Sequence, residues 1–238
     1  MEEAFNGSER IGDIVAGFPG AGNLMKEYRI DFCCGGNRTL SAALEQRQID
    51  KKAFLERLNE LYRQAQAKKT QATDWREKTS SELIDHIVQT HHAYLREELP
   101  LLSEFVAKIW RVHGEAHPEL EMLHDRFHRM KEELEQHLVA EEEALFPLIR
   151  KAEQSGAQVA AAEAAKAIEE MEDDHSAVGD LLQEMREITR DYLLPEDACR
   201  TYTLAFRKLE ELESDMFEHI HLENNVLFPR YKIASDAH

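Results

Sequence analysis

His137 stands four residues before Glu141, and the run continues through Leu145, Phe146 and Pro147. The same spelling, H-x-x-x-E-x-x-x-L-F-P, returns 82 residues later as His219, Glu223, Leu227, Phe228 and Pro229. A further histidine lies upstream of each copy, His92 and His175, themselves 83 residues apart. Residues four apart share one face of a helix, so each H-x-x-x-E presents a ring nitrogen and a carboxylate one turn apart. Four imidazoles and two carboxylates inside an apolar core are costly unless each is satisfied. Metal ions satisfy all six together, and mixed imidazole and carboxylate ligation suits non-heme iron, with manganese or zinc as alternatives. If Glu141 and Glu223 each bridge two metals, two six-coordinate ions offer about twelve positions, of which the six residues fill about eight. The rest accommodate one oxo or hydroxo bridge and one open position per metal for a small ligand such as O2 or NO.

The elements that must carry these residues are readable from apolar periodicity. Four long amphipathic segments are expected near 79–112, 118–152, 158–191 and 196–232, with Gly114, Pro118, Gly156 and Pro195 at the breaks. In each segment a histidine takes a slot in the apolar stripe: Ile84, Val88, His92 and Leu95 in the first, Phe127, Met130, Leu134 and His137 in the second. Ile168, Met171, His175 and Val178 form the third stripe, and Leu209, Leu212, Met216 and His219 the fourth. Short connections between long helices imply antiparallel neighbours, hence an up-down bundle made of two copies of one helical hairpin. By rotation of about 100° per residue, His86, His91, His124, His128 and His221 fall away from the ligand face and read as solvated or interfacial. Glu133, Asp174 and Asp215 read equally well as outer partners of the ligands or as solvated charges. The ferritin-like arrangement would use E-x-x-H instead; H-x-x-x-E, twice, points to the hemerythrin-like one.

Ahead of the bundle, residues 9–66 read as short helices broken at Phe18–Gly22 and at Cys33–Asn37, with helices over 39–47 and 50–65 and Asp50 as an N-cap. The domain plan is a small helical domain over 1–66, a linker over 67–78 and the bundle over 79–238. Cys33 and Cys34 precede two glycines in a turn expected to expose them, where they could pass iron or respond to oxidants. Cys199 reads as structural. Three cysteines, two of them adjacent, do not make a disulfide framework, which points to a reducing cytoplasm. The chain of 238 residues carries a net charge of −18, which argues against nucleic-acid and anionic-membrane partners. No signal peptide and no apolar run of membrane-spanning length is visible.

The double motif, with the run from Leu222 to Pro229, resembles the repair-of-iron-centres family of di-iron proteins. Asp31 to Gly36 followed by Thr39 and Leu40 is similar to that family's small cysteine-bearing domain, and Trp75 and Leu83 to His86 also fit. The resemblance implies an all-α, hemerythrin-like up-down four-helix bundle preceded by a small helical cysteine-bearing domain. It also implies a cytoplasmic protein of nitrosative or oxidative stress that restores damaged iron–sulfur clusters by supplying iron. Its ligands would be His92, His137, Glu141, His175, His219 and Glu223, holding two iron ions. Its partners would be damaged iron–sulfur proteins and the small ligands NO or O2. The alternatives are an NO-reducing enzyme and an O2-binding or O2-sensing protein; a homodimer is left open. His113, also family-like, lies about 31 Å along a continuous helix from His92, and only a sharp break at Pro100 would return it to the site.

Overall fold

The structure is a computed structural model that describes residues 4–68 and 73–232. Residues 69–72 of the expected linker lie outside them, as do 1–3 and 233–238. The chain is all-α: among the described residues there is no strand, and one isolated bridge joins Arg10 to Thr39. It divides into two compact units, Met1–Leu83 with Phe217–His238, and Ile84–Met216.

The first unit contains α1 (Ile11–Gly17), α2 (Ala21–Glu27), α3 (Leu40–Gln46) and α4 (Lys51–Lys68). The last two of these helices open on polar caps, Asp50 being the one expected. The Thr39 hydroxyl accepts the Ala42 amide at 3.3 Å, and the Asp50 carboxylate accepts the Ala53 amide at 2.9 Å. Ile11, Ile14, Leu24, Met25, Phe32, Leu40, Leu44 and Phe54 are fully or almost fully buried in its core. Thr79 and Glu82 form a reciprocal capping box, with the Thr79 amide donating to Glu82 at 2.9 Å and the Glu82 amide to Thr79 at 3.1 Å. They open α5 (Ser80–Ile87), which spans the boundary between the units.

The second unit is a four-helix bundle. α6 (Ala93–His113) packs on α7 (Glu119–Ala140), and α7 and α8 (Phe146–Ser155) pack on α9 (Gln158–Ile188). Its fourth helix is α10 (Arg200–Leu222), which continues into the first unit beyond Met216. Lys208 of α10 pairs with Glu98 of α6, and Nε and Nη2 of Arg186 on α9 both donate to the buried Glu213 of α10. The bundle core is the apolar stripe expected: Leu95, Leu99, Leu102, Phe127, Met130, Leu134, Ile168, Val178, Leu182, Leu209 and Leu212 are buried. Pro100 does not break α6.

Three wide helical turns interrupt this regularity. Val88–His92, Glu141–Leu145 and Glu223–Leu227 are π-helical. In the last two the amide that closes the turn belongs to the phenylalanine of the repeat: Phe146 bonds the Glu141 carbonyl, and Phe228 the Glu223 carbonyl at 2.8 Å. A proline follows each phenylalanine. Its ring cannot tolerate the carbonyl four residues back in a regular helix and it has no amide to donate, so widening the preceding turn relieves the conflict. After the second of these turns the chain ends its described part in α11 (Pro229–Lys232).

Candidate metal centre

The second unit brings together four of the six residues singled out by the spacing. His92 ends the first π-helical turn, His137 lies in the last turn of α7, Glu141 starts the second π-helical turn, and His175 sits mid-way along α9. All four are buried, His92 and Glu141 completely. His137, Glu141 and His175 each offer one ligand atom within 4.8 Å of the others. The two Nε2 atoms of His137 and His175 are 3.0 Å apart, and Glu141 lies 3.3 Å from Nε2 of both His137 and His92. The first unit holds the other two, His219 and Glu223, fully buried with Nε2 and Oε1 3.2 Å apart.

The donor set fits a transition metal. Ligand atoms held at about 2.1 Å from one ion, at angles of 90–110°, stand about 3.0–3.4 Å from each other, and the separations above fall in that window. The orientation of the rings agrees. His92 Nδ1–H donates to Glu142 at 2.6 Å and His137 Nδ1–H to Asp174 at 3.4 Å, so both rings turn an Nε2 lone pair inward. Glu142 is itself held by Arg96 at 2.8 Å. Burial works to raise the Glu142 carboxyl, but Arg96 and His92 outweigh it and keep it below the usual carboxylate range. Phe146 stacks on the His92 ring at 5.7 Å and shields it from water.

Asp174, beside His175 in sequence, thus faces His137 from the partly solvated side. Glu142 was missed, because on a regular helix a residue next to Glu141 would point some 100° away. Glu133 pairs with Arg129 on the surface, and Asp215 accepts Nδ1–H of His91 at 2.9 Å. Two histidines expected to be solvated or interfacial, His91 and His221, are buried. Burial pushes the His221 imidazole down to about 4, opposed by its contact with the Phe32 carbonyl. His113 is not near the centre: its Nε2 lies 3.2 Å from the exposed Cys199 thiol. The Tyr202 amide and then His113 bring that exposed thiol, read from the sequence as structural, down to about 7.

The Cys33–Cys34 turn also differs from the exposed loop expected. Cys33 is buried and Cys34 half-buried, with their sulfurs 3.9 Å apart. The Asp31 carboxylate accepts the Cys33 amide at 3.0 Å and faces its thiol at 3.2 Å. The neighbouring Cys34 thiol and burial together push Cys33 well above the usual thiol range, so it is held as the thiol.

Imidazoles and a carboxylate converging from the inner faces of an all-α bundle define a hemerythrin-type metal-binding protein. The chain belongs to that family: residues 83–231 match the hemerythrin HHE cation binding domain. Residues 7–62 match ScdA_N, a domain of unknown function. Over nearly its whole length the chain is similar to proteins named for iron–sulfur cluster repair. It is 34% identical over 221 residues to the iron-sulfur cluster repair protein ScdA of Staphylococcus haemolyticus, covering 93% of this chain and 96% of that one. It is 34% identical over 220 residues to the iron-sulfur cluster repair protein YtfE of Escherichia coli O157:H7, covering 92% and 94%. With the YtfE of Yersinia pseudotuberculosis it shares 35% over 223 residues, 94% of this chain and 96% of the relative.

Proposed function

We propose that this protein repairs iron–sulfur clusters damaged by nitrosative or oxidative stress in the cytoplasm, using iron held at a di-iron centre. The observation that carries the reading is the buried group of His92, His137, Glu141 and His175, set in a chain that relatives named for this repair match over more than nine-tenths of its length. His219 and Glu223 complete the centre in this reading. They stand in the repeat where His137 and Glu141 stand, and the hemerythrin match spans all six residues.

Each histidine would hold iron through Nε2, and Glu141 and Glu223 would bridge the two ions. The bound iron would supply exchangeable ferrous ions and open positions for NO or O2. The protein's own residues do the rest. Glu142 and Asp174 orient the rings of His92 and His137, and Phe146 keeps bulk water from His92. Six neutral or carboxylate donors with no buried lysine or arginine among them hold iron without locking it as thiolates would.

The test is reactivation of an iron–sulfur enzyme whose cluster has been destroyed by NO. Iron-loaded protein should restore activity faster than the same amount of ferrous iron given with a chelator that outcompetes the damaged enzyme. Restoration by unchelated ferrous iron alone, with the iron-loaded protein inert, contradicts the proposal.

A further inference from the structure

Among the positions where the two copies of the repeat differ, one is tied to the cysteine turn. Two residues after the repeat glutamate, the first copy has Glu143, exposed to solvent, and the second has Asn225, half-buried. Within the first unit, Asn225 is fastened to the cysteine turn. Its side-chain amide donates to the Cys33 carbonyl at 2.8 Å and to the Phe32 carbonyl at 3.3 Å. Its side-chain oxygen fits a slot between Gly12 and Gly36, where a Cβ on either glycine would stand 2.3 or 2.2 Å from it. The Gly12 amide closes the slot by donating to the Gly36 carbonyl at 2.8 Å. Phe32 packs on Phe217 and His221 of the same helical stretch, which keeps the turn seated there. Asn225 lies in the middle of the π-helical turn that begins at Glu223. Such a turn is a single wide loop of i to i+5 bonds, the least regular part of its helix, and small displacements of its centre move its first residue.

We propose that Asn225 is a positioning residue that ties the main chain of the Cys33–Cys34 turn to Glu223, so that occupation of the two thiols is felt at the Glu223 carboxylate. The inference rests on the reading of Glu223 as an iron ligand. The sulfurs stand 3.9 Å apart on adjacent residues. A reagent that bridges both must draw them toward a common atom and thereby turn the peptide whose carbonyl Asn225 holds. An arsenical of the form R–As=O does this without redox chemistry: two S–H bonds and the As=O bond are lost, two As–S bonds form, and one water leaves.

The experiment uses the iron-loaded full chain and phenylarsine oxide, with thiol loss, iron content and the iron-derived visible and Mössbauer spectra read on the same sample. In the unsubstituted protein, capping of the pair should shift the spectra. In Asn225→Ala and Asn225→Asp, which lose the donor to Cys33, capping should leave them unshifted. Gly12→Ala, whose added methyl would meet the Asn225 side chain and displace it, should shift the spectra with no reagent present and speed iron release to a ferrous chelator by about 10-fold. Far-ultraviolet circular dichroism and thermal melting show that each variant is folded. Equal shifts on capping with and without Asn225, capped thiols with unmoved spectra, or an unmoved spectrum in Gly12→Ala would each overturn the proposal. Absence of iron from the unsubstituted protein would instead overturn the metal reading beneath it.

Discussion

Replacing Glu142 by alanine removes one acceptor from one ligand ring and nothing from the centre itself. The lost contact is the 2.6 Å bond from His92 Nδ1–H, to a carboxylate that Arg96 fixes at 2.8 Å and that is only about a quarter exposed. A hydrogen bond to a charged group contributes about 1.5–3 kcal/mol. Losing an outer partner of a ligand histidine costs about 10–100-fold in metal affinity, or about 1.4–2.8 kcal/mol. With a discount for partial exposure, iron affinity should fall about 10–30-fold in Glu142→Ala and less in Glu142→Gln, which keeps an acceptor oxygen. Asp174→Ala is the internal comparison. Its bond to His137 is 3.4 Å long, at the limit of a hydrogen bond, and its side chain is 56% exposed, so the expected loss is about 2-fold or less. The assay is anaerobic competition for ferrous iron with a chromophoric chelator, with circular dichroism to show that the bundle is intact. Equal losses in the two alanine variants, or less than about 3-fold in Glu142→Ala, would refute the idea that these outer carboxylates act through ring orientation.

Two further expectations follow from sites away from the iron ligands. In a Cys33→Ser/Cys34→Ser background, alkylation of Cys199 should rise with a midpoint near pH 7, because the reactive thiolate forms about two units below the usual thiol. His113→Ala should move the midpoint upward only part of the way, since the Tyr202 amide remains; a midpoint near 9 in that background with His113 in place would contradict this. Phe32→Ala should destabilise the first unit by about 3–5 kcal/mol in denaturant unfolding, as expected for a fully buried aromatic. A cost under about 1 kcal/mol would mean that Phe32 is not the anchor of the cysteine turn.

The clustering of the candidate ligand side chains was legible because a histidine in an apolar helical slot, with a glutamate one turn later, is a local pattern, and its recurrence with matched tails made it specific. His137 and Glu141 could be found that way, and His92 and His175 from their matched places upstream of the two copies; the structure brings these four residues together. What periodicity missed was what lies across from each helix. His91 turns away from the ligand face as calculated, but α10 covers that face and supplies Asp215. His221 does likewise beneath Phe32. Cys33 sits in a glycine-rich turn that looks open until Asp31 and Asn225 are seen to pin it. Glu142 is the subtlest case, because the π-helical turn alters the local register that the rotation of 100° per residue assumes. The local trace of that turn was present in both copies as the Phe-Pro pair, Phe146-Pro147 and Phe228-Pro229.

The most direct measurement of the central claim is the iron content of protein purified anaerobically, beside a Glu141→Leu/Glu223→Leu variant. The account predicts about two irons per chain in the unsubstituted protein, lost or loosely held in the variant, with the helical circular dichroism preserved in both. No bound iron, or iron that stays when both carboxylates are gone, would contradict it.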